Sequence, residues 1–250
     1  MNLRPDAGLA AEFAALVINP AASELAVASL VNRVIYPAED LAGVSSAVQS
    51  LIPPAGQAAW LHLGTLGFGG DERGLIDLDN SCVTKVLERR RGLPITLAIV
   101  LIEVARRQGR EAWGLNAPGH FLASVDHQVV DPVQMSTLPM TASIQRASAT
   151  EIAQRMLNNL KHACLSQSQP HSALTVLEHQ RAMARAIGDA EMEGGLRLET
   201  GNCWYALNLP ELALEEYTAC ESAAAEGSPL ARAASARIQI LKRLPKPTLH

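Results

Sequence analysis

Residues 94–108 constrain this chain more than any other stretch. Ile95, Leu97, Ala98, Ile99, Val100, Leu101, Ile102 and Val104 follow Pro94 with hardly a polar break. A helix with this pattern is apolar nearly all round and belongs in the middle of a domain. Its ends are marked as well. Gly92 breaks the helix before it, Pro94 suits a first turn where the missing N–H costs nothing, and Gly109 suits the C-terminal end.

The elements around it follow from periodicity. Leu9, Phe13, Leu16 and Val17 recur at helical spacing up to Asn19-Pro20. Ser23 can cap a second helix that runs to Tyr36-Pro37, and further helical stretches fall at 40–51 and 57–66. Gly67-Phe68-Gly69-Gly70-Asp71 reads as a loop and Asp79-Asn80-Ser81 as a helix start. After Gly109 the period changes to two, which predicts short strands at 112–115, 121–125 and 128–130, with Asp126-His127 as a hairpin turn. From Thr150 the pattern is helical again. The fold class expected is α+β: a helical segment at 1–70, a mixed core at 71–140 and an all-helical tail at 150–245, divided within the Pro/Thr/Ser-rich stretch 132–148.

The tail carries a weak internal repeat. Gly201, Trp204, Ala213 and Tyr217 stand at the spacing of the small and aromatic positions of a tetratricopeptide unit. Residues 158–183, centred on Ala173 and Leu177, are a fainter copy at a wider spacing than the usual period. About two units make a short helical cap rather than a long solenoid.

Composition narrows the function classes. With 48% hydrophobic and 18% charged residues among 250, the chain can build a sizeable core. A net charge of −4 and 4% aromatics argue against nucleic-acid binding, by charge and by base stacking alike. The four cysteines, Cys82, Cys164, Cys203 and Cys220, form no close pair of the kind zinc or redox sites use. No metal or cofactor is expected. Neither a secretory signal nor a membrane-spanning run is visible, and a cytoplasmic protein with reduced thiols is the expectation.

The chemistry-bearing residues lay out two thirds of a thiol-hydrolase site. Such a site needs a cysteine at a helix N-terminus, a histidine to take its proton and an acid or amide to orient that histidine. His120 and Asp131 suit the last two roles. If Asp126-His127 are the two turn residues, Asp131 lies opposite Leu122, on the face of His120. A two-residue turn one step earlier places Asp131 opposite His120 itself, whereas a three-residue turn centred on Asp126 puts them on opposite faces. Gly119 is read as allowing a close backbone approach. Thr96 could offer a hydroxyl one turn into the central helix, and Cys82 a thiol from the preceding helix; their plainer roles are backbone bonding and core filling. Arg90 and Arg91, in the run Arg89-Arg90-Arg91, could clamp an anion, or the run could be a solvated helix end paired with Asp77, Asp79 or Glu88. Asn80 is a helix cap or a ligand contact. The remaining histidines form no ligand spacing.

Together the stretches 79–81, 86–97, 104–109, Pro118-Gly119-His120-Phe121-Leu122 and Asp131-Pro132 resemble the SirB-type transglutaminase-like family, and Arg155-Met156-Leu157-Asn158-Asn159-Leu160-Lys161 resembles the start of its tetratricopeptide tail. The resemblance covers roughly 25–225. It implies a papain-like core, a central helix packed on a small antiparallel sheet. It also implies that Pro94 stands at the position of the superfamily's catalytic cysteine. Val133-Gln134-Met135 departs from the family, whose members have an aromatic and a glycine pair there. The function expected is a non-catalytic module that binds a peptide or small acid in a pocket lined by His120, Asp131, Thr96, Pro94, Asn80, Arg90 and Arg91, with a protein partner on the helical tail. The alternative is an unconventional hydrolase or acyl transferase using His120 and Asp131 with Cys82, Thr96 or water.

Overall fold

A computed structural model describes residues 7–19, 21–37, 42–139 and 144–243. Pro20 and residue 40, both named above, lie outside these. The described chain runs α1 (Ala7–Val17), α2 (Glu24–Ile35), α3 (Ala42–Ser50), α4 (Ala59–Thr65), β1 (Gly69–Gly70), two 3-10 turns (Gly74–Ile76 and Leu78–Ser81), α5 (Val83–Arg89), β2 (Arg91–Gly92) and α6 (Pro94–Arg107). Then come β3 (Ala112–Ala117), β4 (His120–Val125), β5 (Gln128–Asp131), β6 (Ser136–Leu138) and β7 (Gln145–Arg146). Five helices close the chain: α7 (Ala149–Ser166), α8 (Pro170–Ile187), α9 (Ala190–Ala206), α10 (Pro210–Ala223) and α11 (Pro229–Arg243). It is a mixed α+β chain followed by helices.

Two compact units emerge. One is Ala15–Gln167; the other joins the start of α1 to everything from Ser168 onward. The stretch 132–148 and α7 both fall within the first of these units. Thr150 Oγ1 donates to Val17 O at 2.8 Å, and Gln167 Nε2 donates to Ile76 O at 2.5 Å at the helix's other end. The stretch 132–148 also supplies β6 and β7, two strands too short for periodicity to reveal.

In the first unit α6 is the core. Leu97, Ala98, Ile99, Leu101, Val104 and Ala105 are fully buried. Gly92 is required just ahead of it: a Cβ there would lie 2.6 Å from Val86 Cγ2 and 3.3 Å from Asn80 O. α6 ends at Arg107 with Gln108 as its C-cap, and Gly109 follows at φ +77, the left-handed position that closes such a helix, with Gly109 N donating to Arg106 O and Arg110 N to Ala105 O.

The antiparallel sheet has the order β6-β5-β4-β3-β7. Asp126 and His127 both have positive φ, the two-residue hairpin turn that matches strand twist. One sheet face, with Ala112, Gly114, Phe121, Ala123 and Val125, faces the helices: Gly114 N reaches Glu24 Oε1, and Arg106 of α6 donates to Ala112 O. The other face carries a separate cluster of Leu115, Leu122 and Val129, covered by Trp113 and Ile144.

Glu24 is the buried charge of this unit. Both its oxygens take hydrogen bonds from Arg106, at 2.5 and 3.0 Å. Its side chain is only 8% exposed against 30% for Arg106. Replacing Glu24 by Gln leaves the guanidinium without a counter-charge, and the partial exposure of Arg106 tempers the cost to about 2–3 kcal/mol. Urea unfolding should show a lower midpoint at unchanged m-value; a change under about 0.5 kcal/mol would remove this pair as an organising contact.

In the second unit α9 and α10 pack closely because Gly201 faces Tyr217. A Cβ on Gly201 would lie 2.4 Å from the Tyr217 ring. The ring is buried with Ala213 and Ile238, and its hydroxyl donates to Asn202 Oδ1 at 2.9 Å. Gly201→Ala should cost about 1–3 kcal/mol of stability through overpacking. A thermal melt unchanged from the parent protein would show that the two helices separate without penalty.

Candidate functional site

The start of α6, the turn between β3 and β4 and the end of β5 lie at the same end of the core unit. This follows from connectivity: β3 runs back along α6, β4 returns, and β5 runs antiparallel to β4. His120, Asp131 and Pro94 are therefore gathered at one end.

Their detailed arrangement is not that of a proton relay. Val125 pairs with Gln128 and Ala123 with Val130, so the next step sets Asp131 opposite Leu122. His120 is its diagonal neighbour on the same face, roughly 7–8 Å away between Cα positions. Asp131 Oδ1 accepts from Val133 N at 2.8 Å and Gln134 N at 3.4 Å, an Asx turn that starts the loop to β6. His120 is exposed and its side chain has no hydrogen-bond or ion-pair partner among the described residues. Strand alternation sets His120 on the Leu122 face, away from α6. Gly119 has φ +73 with open space around it, so it serves the turn conformation and not the close approach expected.

Pro94 occupies the first helical position of α6 and is half-buried. Leu93 N, just before it, donates to Asn80 O at 3.0 Å. Thr96 is fully buried, and its hydroxyl has no hydrogen-bond partner among the described residues. Cys82 is buried with its sulfur 3.0 Å from Thr84 Oγ1. All four cysteines are buried.

Asn80 is not a helix cap. It sits inside the 3-10 turn that Asp77 caps, fully buried, with Nδ2 donating to Gly74 O at 3.0 Å and Oδ1 without a partner. The residue capping α5 is Asn32 of α2, whose Oδ1 accepts from Val83 N at 3.1 Å. No local pattern could have announced a cap 51 residues away.

The basic run divides in two. Arg89 reaches Asp71, Asp77 and Asp79 at 2.9–3.0 Å. Burial pushes the Asp71 carboxyl up, but the hydrogen bonds and charge of Arg73 and a hydrogen bond from Asn80 outweigh it and leave it below the usual carboxylate range. Tyr36 donates to Asp79 at 2.7 Å. Its phenol is raised by burial first, then by that hydrogen bond and the neighbouring negative charge. Arg90 and Arg91 donate to Leu66 O (2.6 Å) and Gly67 O (2.9 Å), just past the C-terminal end of α4, where a positive charge is favoured. Arg91 also lines an open groove of about 770 Å³ with Gly69, Gly70, Arg73, Val133 and Gln134. Val133 fills that groove's floor: a Cβ on Gly70 would lie 2.7 Å from Val133 Cγ1.

One residue at this end escaped the sequence reading as a site candidate. Arg155 of α7 donates through Nη1 to Asn116 Oδ1 at 2.5 Å and contacts Ala117 O at 3.4 Å, with its guanidinium carbon 5.8 Å from the Phe121 ring centroid. In the sequence it stands in the polar row Glu151, Arg155 and Asn159 of α7, which carries no mark of a site.

The layout of this unit is a buried helix, begun by Pro94, packed on a small antiparallel sheet. Residues 55–177 match the profile described as the transglutaminase-like superfamily. It is similar to UPF0162 proteins. One from Xylella fastidiosa (strain Temecula1) is 49% identical over 57 residues, 23% of this chain and 20% of the relative. One from Pseudomonas aeruginosa is 28% identical over 166 residues, 58% of each chain, and one from Vibrio cholerae 30% over 70 residues, 28% and 26%. The chain thus spans less than two thirds of the length of these relatives. No solved structure matches. Among the described residues no cluster fits a metal ion, and no helix is long and apolar enough to cross a membrane.

Pro94→Cys tests the geometry directly, since the native thiols are buried. The new thiol should alkylate at a rate set by the helix N-terminus alone, with the same rate in the His120→Ala background. A rate that falls about tenfold or more on removing His120 would mean that the imidazole reaches the helix start.

Proposed function

We propose that this chain is a SirB-type transglutaminase-like protein that works as a binding module in the cytoplasm and not as a thiol enzyme. Its core takes a peptide or small acid at the end where His120 lies, and its tetratricopeptide-like tail takes a protein partner. The observation that carries this reading is Pro94 at the first position of α6, where a thiol enzyme needs its nucleophile. Two further observations support it. Asp131 is engaged in its own Asx turn, and Cys82 is buried against Thr84. The close approach of α9 and α10 at Gly201 and Tyr217 supports the repeat reading of the tail.

The test is a thermal-shift series with short acidic peptides, run beside an amine-incorporation assay and a thiol-reactive probe. Wild type should be stabilised by at least one peptide, by about 2.7 kcal/mol at a hundredfold excess over Kd. His120→Ala should lose that stabilisation while keeping its unliganded melting temperature. Turnover in the amine assay, or probe labelling of Cys82 that vanishes in His120→Ala, would replace this reading with the unconventional transferase.

A further inference from the structure

Arg155 is a cation without a counter-ion. It is half-buried, and no carboxylate lies within ion-pairing distance of it among the described residues. The nearest acid in sequence, Glu151, is already engaged: it accepts from Ser148 N and Oγ, each at 2.8 Å, and from Asn116 Nδ2 at 3.3 Å. Asn116 thus holds Glu151 with its amide nitrogen and Arg155 with its oxygen, keeping the two charges apart. Both recorded bonds of Arg155 go through Nη1 to neutral oxygens. Nε and Nη2 remain, two parallel donors in the fork that matches a carboxylate or phosphate. Burial lowers the guanidinium's pKa, though not enough to discharge an arginine.

The same end of the β3–β4 hairpin holds the other unexplained group. Ala117, whose carbonyl Arg155 touches, is the Cα partner of His120 across the hairpin. His120 is exposed and unpartnered. Arg155 lies on the helix face of the strands and His120 begins on the opposite face, so the two flank the strand ends where Pro118 and Gly119 turn the chain. The other arginines of this unit near the candidate site differ: Arg89 is neutralised by three aspartates, and Arg90 and Arg91 are tied to carbonyls next to α4.

We propose that Arg155 and His120 form an oxyanion-binding site at the end of the β3–β4 hairpin, taking the carboxylate or phosphate of the ligand. This rests on the binding-module reading above and names the ligand's chemistry. Arg155 supplies the charge and the paired donors, His120 one further N–H, and Asn116 positions the guanidinium while holding Glu151 off it.

The test is an NMR titration of the full chain, following the His120 ring and Arg155 Nε–H resonances. Sodium phosphate and sodium succinate are added in separate arms at constant ionic strength. Both resonances should move saturably together in at least one arm, and the responding arm identifies the ligand group. Arg155→Gln should weaken that binding by about tenfold or more. His120→Gln, at an exposed position that leaves the fold alone, should weaken it by less. Should Arg155→Gln fail to fold, His120→Gln and Arg155→Lys carry the test, and both must bind more weakly than wild type. Flat titrations in both arms, or variants that titrate like wild type, overturn the site. If the peptides of the previous experiment still stabilise the protein through His120, only the oxyanion assignment falls; if they do not, the binding-module reading falls with it.

Discussion

One buried carboxylate ties the core unit together. Glu24 starts α2, yet it is bonded by Arg106 near the end of α6 and by Gly114 N in β3. Arg106 in turn donates through Nε to Ala112 O. A carboxylate in so little water stands only when its oxygens are fully engaged, so these groups set one geometry. The end of α6 is thereby fixed to the start of β3, and the sheet's antiparallel course then determines what lies beside the start of α6. α2 is placed by the same bond, which lets Asn32 cap α5 where Cys82 gives no side-chain cap. The candidate site inherits its location from a salt bridge at the opposite end of the helix.

The run Arg89-Arg90-Arg91 shows how charge serves architecture at the site's other border. Arg90 takes φ 60 as the left-handed cap of α5, so the chain turns there and the three side chains diverge. Arg89 collects three aspartates from the preceding loop, while Arg90 and Arg91 reach carbonyls next to α4. The loop and α4 are thus secured from one short segment, which also pairs as β2 with β1. Asp77 and Asp79 were already visible as partners in the sequence; the carbonyl targets were not, because neutral acceptors leave no mark in a charge pattern.

Legibility follows the range of the forces involved. The helices, the three long strands and the hairpin turn at Asp126-His127 were readable, since period and turn chemistry act over a few residues. The Glu24–Arg106 pair spans 82 residues and Asn32–Val83 spans 51, and neither had a local trace. The strands β1, β2, β6 and β7 have two or three residues each, too few to show alternation. At the site, the shared face of His120 and Asp131 was readable from the turn. Their diagonal offset was open until the register was known, and the engagement of Asp131 with Val133 and Gln134 depends on a loop whose residues depart from the family resemblance. Met135, in that loop, takes φ 50, a conformation that glycine would adopt more easily.

The distribution of structural duties around the site bears on what the site is for. Gly92 is demanded by Val86, Leu93 fills the core, and Pro94 suits a helix start whose first N–H has no acceptor. Asp131 starts a turn, and Arg89 holds a loop. Each would be accounted for in a protein with no ligand at all. His120 and Arg155 are different in kind. His120 is exposed with no partner among the described residues, and the half-buried guanidinium of Arg155, with no carboxylate partner among them, carries a desolvation cost that packing on Phe121 offsets only in part.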